Sequence, residues 1–264
     1  LPLPVEQQPV QRPGPEAGVP PRQTNLAELL EQSVVLVLAP GQQEEGGRRA
    51  LATGSGFAIA PDLVVTNLHV VDGAQRVLVT NRLLGNPVAA EIVARTPNHD
   101  FGQPDFAVLR IGGQLPPLQL AATAAPLVPV VAVGFPGFVV GAGDDFQRLL
   151  RGEQGQAPAA HFTTGEISGV QQFRGNPVVI HTAAINRGNS GGPVVDRCGR
   201  VLGVNTFIRA DREVAYRADY ALPVATLLDF LRANNLPAEA LTEVCTPAAP
   251  AAAAPPPPAA PATR

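Results

Sequence analysis

From residue 23 to residue 245, short β-branched runs alternate with turns rich in Gly, Pro, Asn and Asp. The runs are SVVLVLA (33–39), GSGFAIA (54–60), LVVT (63–66), RVLVT (76–80), VAAEIVA (88–94) and DFAVLRI (105–111). A Gly/Pro/Ala-rich joint at 112–127 precedes VPVVAVG (128–134), HFTTGEISGV (161–170), PVVIHTA (177–183), PVVD (193–196), VLGVNTF (201–207) and EVAYRADYALP (213–223). Regularly spaced strands with no helix between them restrict the chain to antiparallel barrels or sandwiches. Two clusters of similar size across one joint predict an all-β fold of two small barrels, at 23–112 and 128–223, with 113–127 as the linker. Helical spacing occurs only in NLAELLEQ (25–32) and VATLLDFLRANN (224–235). In the second, Val224, Leu227, Leu228 and Leu231 form one apolar face, so a C-terminal helix in 224–245 should dock on the second half.

Proline marks the ends. Of 29 prolines, seven lie in residues 1–22 and seven in 246–264. Neither tail offers enough apolar surface to offset the entropy of folding, and both are expected to be extended and disordered spacers. The stretch 138–160 breaks the strand rhythm and is expected to be a surface loop near the functional site.

Composition removes several chemistries. All 19 basic residues are Arg, so a P-loop lysine, a Schiff base and a Ser–Lys dyad are excluded. Two cysteines cannot supply a Cys-rich zinc or iron–sulfur site. A net charge of −3 gives no electrostatic case for nucleic acid. No run reads as a membrane span, and no metal or organic cofactor is expected. Without an initiating Met the chain is expected to be processed or trimmed, with any export signal outside it.

The sharpest motif is Asn186-Arg187-Gly188-Asn189-Ser190-Gly191-Gly192-Pro193. Glycines around a serine allow a tight turn in which the N–H groups of Gly188 and Ser190 converge on one point while Oγ is presented. That arrangement suits acyl transfer. Gly188 to Gly192 also spells G-x-S-x-G, the nucleophile elbow of α/β-hydrolases. Those enzymes place their histidine after the serine, whereas His69, His99, His161 and His181 all precede Ser190.

His69 is the favoured base, because it follows the apolar strand LVVT on a rigid strand end. His99 lies in a polar loop, and His161 and His181 lie within strand patterns. Among the aspartates between His69 and Ser190, Asp72 belongs to a turn pair and Asp144 and Asp145 to the 138–160 stretch. Asp105 stands at the mouth of an apolar strand, where a desolvated carboxylate could orient an imidazole, and Asp100 is the reserve. The chain order His, Asp, Ser is that of the two-barrel chymotrypsin fold.

TGSGFAIAPDLVVTNLHVVDGA, DFAVLRI and TAAINRGNSGGPVVDRCGRVLGVNTF resemble the trypsin-like serine proteases of the HtrA/Deg type over roughly residues 50–235. The resemblance implies two six-stranded, chymotrypsin-like barrels and a serine endopeptidase acting on extended or unfolded polypeptides. It implies His69 as general base, Asp105 as orienting acid, Ser190 as nucleophile, and the Gly188 and Ser190 N–H groups as oxyanion hole. S1 walls fall on Ala184, Ile185, Asn205, Thr206 and Phe207, whose lack of charge predicts a small or medium aliphatic P1. Arg209, Arg212 and Arg217 lie close enough in sequence to form a rival, acidic-P1 pocket.

Departures from the family carry expectations of their own. Asn189 stands where digestive relatives carry the Asp that pairs with a new N-terminus, so that activation route is not expected. Too few residues follow 235 for a PDZ domain, and residues 1–56 lack the aromatics that build an HtrA-type trimer, leaving other oligomers open. In an exported, periplasmic or secreted protein Cys198 and Cys245 could pair; two thiols are the alternative. A protease-like scaffold that binds peptides with little turnover is the alternative function, and processing of its own flanking chain is a third.

Overall fold

The computed structural model describes residues 25–43, 49–100, 102–153, 157–211, 216–243 and 245, with backbone only at 42–43, 49–50, 207–211 and 216–217. Both Pro-rich tails lie outside the described residues, as do the side chains of Phe207, Arg209, Arg212 and Arg217.

Helix α1 (Leu26–Ser33) opens the described chain, its first turn capped by Asn25, whose side chain accepts the Ala27 N–H. Strands β1 (Val34–Gln43), β2 (Arg49–Ala60) and β3 (Leu63–Thr66) follow. A single helical turn, α2 (Leu68–Val71), leads to β4 (Val77–Thr80), β5 (Val88–Arg95) and β6 (Ala107–Ile111). These six strands close into a barrel in the order β1-β2-β3-β6-β5-β4, with Leu36 opposite Thr80 where β1 meets β4. Val35, Val37, Ala58, Val64, Val79 and Leu109 join one apolar cluster within it.

After the two-residue β7 (Leu120–Ala121) the chain builds the second barrel from β8 (Pro129–Gly134), helices α3 (Gly137–Ala142) and α4 (Asp144–Leu150), then β9 (His161–Phe173) and β10 (Asn176–His181). It is completed by β11 (Pro193–Asp196), β12 (Val201–Asp211) and β13 (Tyr216–Pro223). The order β11-β8-β9-β10-β13-β12 closes through antiparallel pairing of β11 with β12. Ala132, Ile167, Val179, Val194, Leu202 and Ala221 form its own cluster. The all-β expectation of two six-stranded barrels holds. Beyond it, β7 and β14 (Ala240–Leu241) extend the second sheet in parallel from β12.

A third cluster spans both barrels. Leu36, Phe57 and Val108 from the first join Val133, Phe135 and Leu222 from the second. Both faces of β1 are therefore buried, which is why VVLVL is continuously apolar rather than alternating. Truncating the fully buried Phe57 to Ala would cost about 3–5 kcal/mol. Helix α5 (Val224–Ala233) buries Val224, Leu227, Leu228 and Leu231 against β12 and β13, on the face its spacing indicates.

The 138–160 stretch corrects the sequence reading in part, because α3 and α4 occupy 137–150. Glycines and β-branched valines in GFVVGA hide α3 from propensity. Asp144 and Asp145 in the first turn of α4 and Arg148 in its last suit the helix dipole.

Candidate active site

Strand β3 ends at Thr66, and the turn α2 places His69 at the seam between the barrels. Asp105 precedes β6, the strand that pairs with β3, so topology alone brings the two residues together. Contact is made at two points. The His69 backbone N–H donates to Asp105 Oδ1 at 3.0 Å, and His69 Nδ1 lies 2.5 Å from Oδ2. The carboxylate side chain is 6% exposed and the imidazole 33%. A buried carboxylate held this way favours one orientation of the ring and the tautomer with the proton on Nδ1, which leaves Nε2 as the acceptor nitrogen. Asn67 tightens the hold, its Nδ2 donating to the Asp105 carbonyl at 2.7 Å.

The turn 186–192 comes from the second barrel. Gly188 has φ +97°, and a Cβ there would collide with Phe135 O and stand 2.6 Å from Gly137 N. Gly191, at φ +86°, lies against Ser55 O, Thr66 Oγ1 and the Asn67 backbone, so no side chain fits there either. The carbonyls of this turn are held by named donors. Gly137 N–H donates to Arg187 O at 2.8 Å, Ser55 Oγ–H to Gly188 O at 2.7 Å, and Gly192 N–H to Asn189 O at 3.0 Å. The Ser55 N–H also donates to Ser190 O at 2.8 Å. Among the described residues, the N–H groups of Gly188 and Ser190 donate to no protein acceptor. Two N–H groups without a protein acceptor, one on Ser190 itself and one two residues before it, are the kind of donors a developing oxyanion requires.

Ser190 Oγ donates to the Thr206 carbonyl at 3.2 Å, and no hydrogen bond joins it to the imidazole among the described residues. Thr206 Oγ1 in turn donates to Asp105 Oδ2 at 3.4 Å. Thr206 thus bridges serine and carboxylate, a placement its reading as a pocket wall did not include. Of the other S1 candidates, Ala184 is exposed and Ile185 buried. Asn205 is buried with Nδ2 on Pro193 O at 3.3 Å, so its side chain faces inward. Asn189 is buried, and among the described residues its Oδ1 accepts no hydrogen bond.

The remaining histidines separate. His99 stands with its ring centroid 6.2 Å from that of His69 and its Nε2 3.4 Å from Asp72 Oδ2, nearer the site than its loop sequence suggested. His161 is exposed at the start of β9. His181 is buried beside Asp219 on paired strands; burial lowers its pKa, and the Asp219 carboxylate opposes the shift. Cys198 and Cys245 form a disulfide. Next to it the buried Arg200 pairs with Asp196 at 2.7 Å and donates to the Glu243 carbonyl.

Residues 54–204 match the trypsin-like peptidase domain, more than half of the chain. The chain belongs to the trypsin-like peptidase family. It is 32% identical over 236 residues to the probable periplasmic serine endoprotease DegP-like of Pseudomonas savastanoi pv. phaseolicola, which covers 84% of this chain and 42% of that relative. It is 35% identical over 215 residues to the mitochondrial serine protease HTRA2 of Bos taurus, covering 78% of this chain and 42% of the relative. The chain thus spans well under half the length of these curated relatives. Among solved structures, the active form of the Rv3671c protease from M. tuberculosis is similar at TM-score 0.59 and 25% identity, over 92% of this chain and 99% of that one. The HtrA-type protease AlgW with a tripeptide is similar at TM-score 0.62 and 24% identity, over 79% of this chain and 62% of that one, a likeness of fold.

The trypsin-like peptidase sequence also held positions that pattern reading passed over. Ser55, Thr66 and Asn67 sit in apolar strand and turn segments and act through hydrogen bonds to residues distant in sequence. The one local signal is the pair of glycines flanking Ser55 within the run GSGFAIA.

Proposed function

We propose that this chain is a serine endopeptidase that cleaves extended or unfolded polypeptides through His69, Asp105 and Ser190. The observation that carries the reading is the two-point grip of Asp105 on His69 beside a serine whose turn keeps two N–H donors free. In the reaction, Ser190 Oγ turns from the Thr206 carbonyl, and its proton passes to His69 Nε2 as Oγ bonds to the scissile carbonyl carbon. The carbonyl oxygen takes the electron pair and accepts from Gly188 and Ser190 N–H. Collapse breaks the C–N bond, and His69 delivers the proton to the leaving amine. Water, deprotonated by the same imidazole, then attacks the acyl carbon, the C–Oγ bond breaks, and His69 returns the proton to Ser190 Oγ.

The exposed, small Ala184 supports a small or medium aliphatic P1. The names of the periplasmic relatives and the Cys198–Cys245 bridge support an exported, periplasmic or secreted location. Division into functional units at 23–112, 113–127, 128–223 and 224–245 is part of the same proposal. Among the described residues, no helix is long and apolar enough to cross a membrane.

Ser190→Ala should abolish both hydrolysis of an unfolded protein substrate and labelling by a fluorophosphonate. Retained hydrolysis in that variant would assign the nucleophile elsewhere. Binding of peptides without turnover by the intact protein would favour the scaffold reading.

A further inference from the structure

A cavity of about 260 Å³ opens beside the imidazole of His69, on the side of the first barrel. It is lined by His69, His99, Asp100, Gly102, Gln103 and Thr206, together with Asp105. The loop that carries Asp100 is tied to the second barrel. Asn176 Nδ2 donates to the Gly102 carbonyl at 3.0 Å and to Gln103 Oε1 at 3.3 Å, and Gly102 packs close to Phe173. Two carboxylates border the cavity. Asp105 is committed to His69 and Thr206, whereas the Asp100 carboxylate has no hydrogen bond or ion pair among the described residues.

A substrate laid as an extended strand points alternate side chains to opposite faces. With the side chain at P1 directed to the second barrel beside Ala184, the one at P2 points to the first barrel, at His69 and this cavity. A long side chain can reach across it to Asp100. The imidazole of His99 adds a planar wall of the kind a guanidinium stacks on, and Gln103 adds polar atoms.

We infer that Asp100 is a specificity-determining residue, selecting a cationic side chain, Arg above Lys, at P2 of the substrate. The inference rests on the peptidase reading above. An exposed carboxylate meeting a guanidinium favours the charged side chain about fivefold over a neutral one of equal length.

The test uses peptidyl diphenyl phosphonates with Val at P1 that differ only at P2, carrying Arg, Lys, citrulline or Leu, and reads the second-order rate of Ser190 labelling. Arg should outpace its neutral isostere citrulline by about fivefold, with the ratio growing at low ionic strength. In Asp100→Asn the Arg-to-citrulline ratio should fall to about one. Equal rates for Arg and citrulline in the wild-type protein, or an undiminished ratio in Asp100→Asn, would overturn the inference. The substrate series alone decides the matter if the variant does not fold. A simple fluorophosphonate serves as control. If it labels Ser190 while the P2 series is flat, only this inference falls; if neither reagent labels Ser190, the peptidase reading falls with it.

Discussion

The hydroxyl of Ser55, in the first barrel, donates to the carbonyl of Gly188, in the turn of the second, at 2.7 Å, and accepts the N–H of Phe135 at 2.9 Å. One buried side chain therefore sets the plane of the peptide next to the free N–H of Gly188. Ser55→Ala removes both bonds and leaves Gly188 O without its donor. Since loss of one oxyanion donor costs about 10²–10³ in kcat, loosening it through Ser55→Ala should cost about tenfold to a hundredfold. The drop should appear in kcat with KM little changed, measured on a small ester or peptide substrate.

Asp105→Asn should be far more damaging. An amide at this position cannot stabilise an imidazolium, and it can donate to Nδ1, which would leave the proton on Nε2. In a His-Asp-Ser triad such a change lowers kcat by about 10⁴. Fluorophosphonate labelling should slow in parallel, while the unfolding transition moves much less.

His181 links stability to pH. Burial holds its pKa below the ordinary histidine value, so the folded protein keeps it neutral where the unfolded chain takes up a proton. Stability from this site is complete above about pH 6.5 and is lost as pH falls from there toward the lowered folded value. The urea midpoint should decrease across that window. His181→Gln should show a smaller pH dependence there, whatever its absolute stability.

Removing the disulfide with Cys198→Ser and Cys245→Ser together should lower stability by about 2–4 kcal/mol. Arg200 still holds the Glu243 carbonyl in that variant, so partial retention of the C-terminal segment is expected. Urea unfolding of the oxidised protein and the double variant compares them directly.

The parts of this molecule visible in its sequence are those that depend on local pattern. The β-branched runs mark the barrel strands because side chains packed on sheet faces must be apolar, and the glycines at 188, 191 and 192 mark a turn too crowded for Cβ atoms. The helical spacing of Val224, Leu227, Leu228 and Leu231 marks the face that α5 buries. Strands β7 and β14 are two residues long and carry no period to detect. Helix α3 contains Gly137, Gly141, Val139 and Val140, which weigh against a helix in isolation. The bridging role of Thr206 and the part played by Ser55 escaped for another reason. Their hydroxyls act across 101 and 133 residues of sequence, and only closure of both barrels brings donor and acceptor together. His99 reached the neighbourhood of His69 by the path of its loop, which no run of residues encodes.

Gly191 sits against Ser55 O, Thr66 Oγ1 and the Asn67 backbone, so the turn bearing Ser190 rests directly on the chain that leads into His69. Chemical competence would then be the last property acquired during maturation. A nascent chain with each half already shaped, but not yet mated, would be inert toward its neighbours and toward itself.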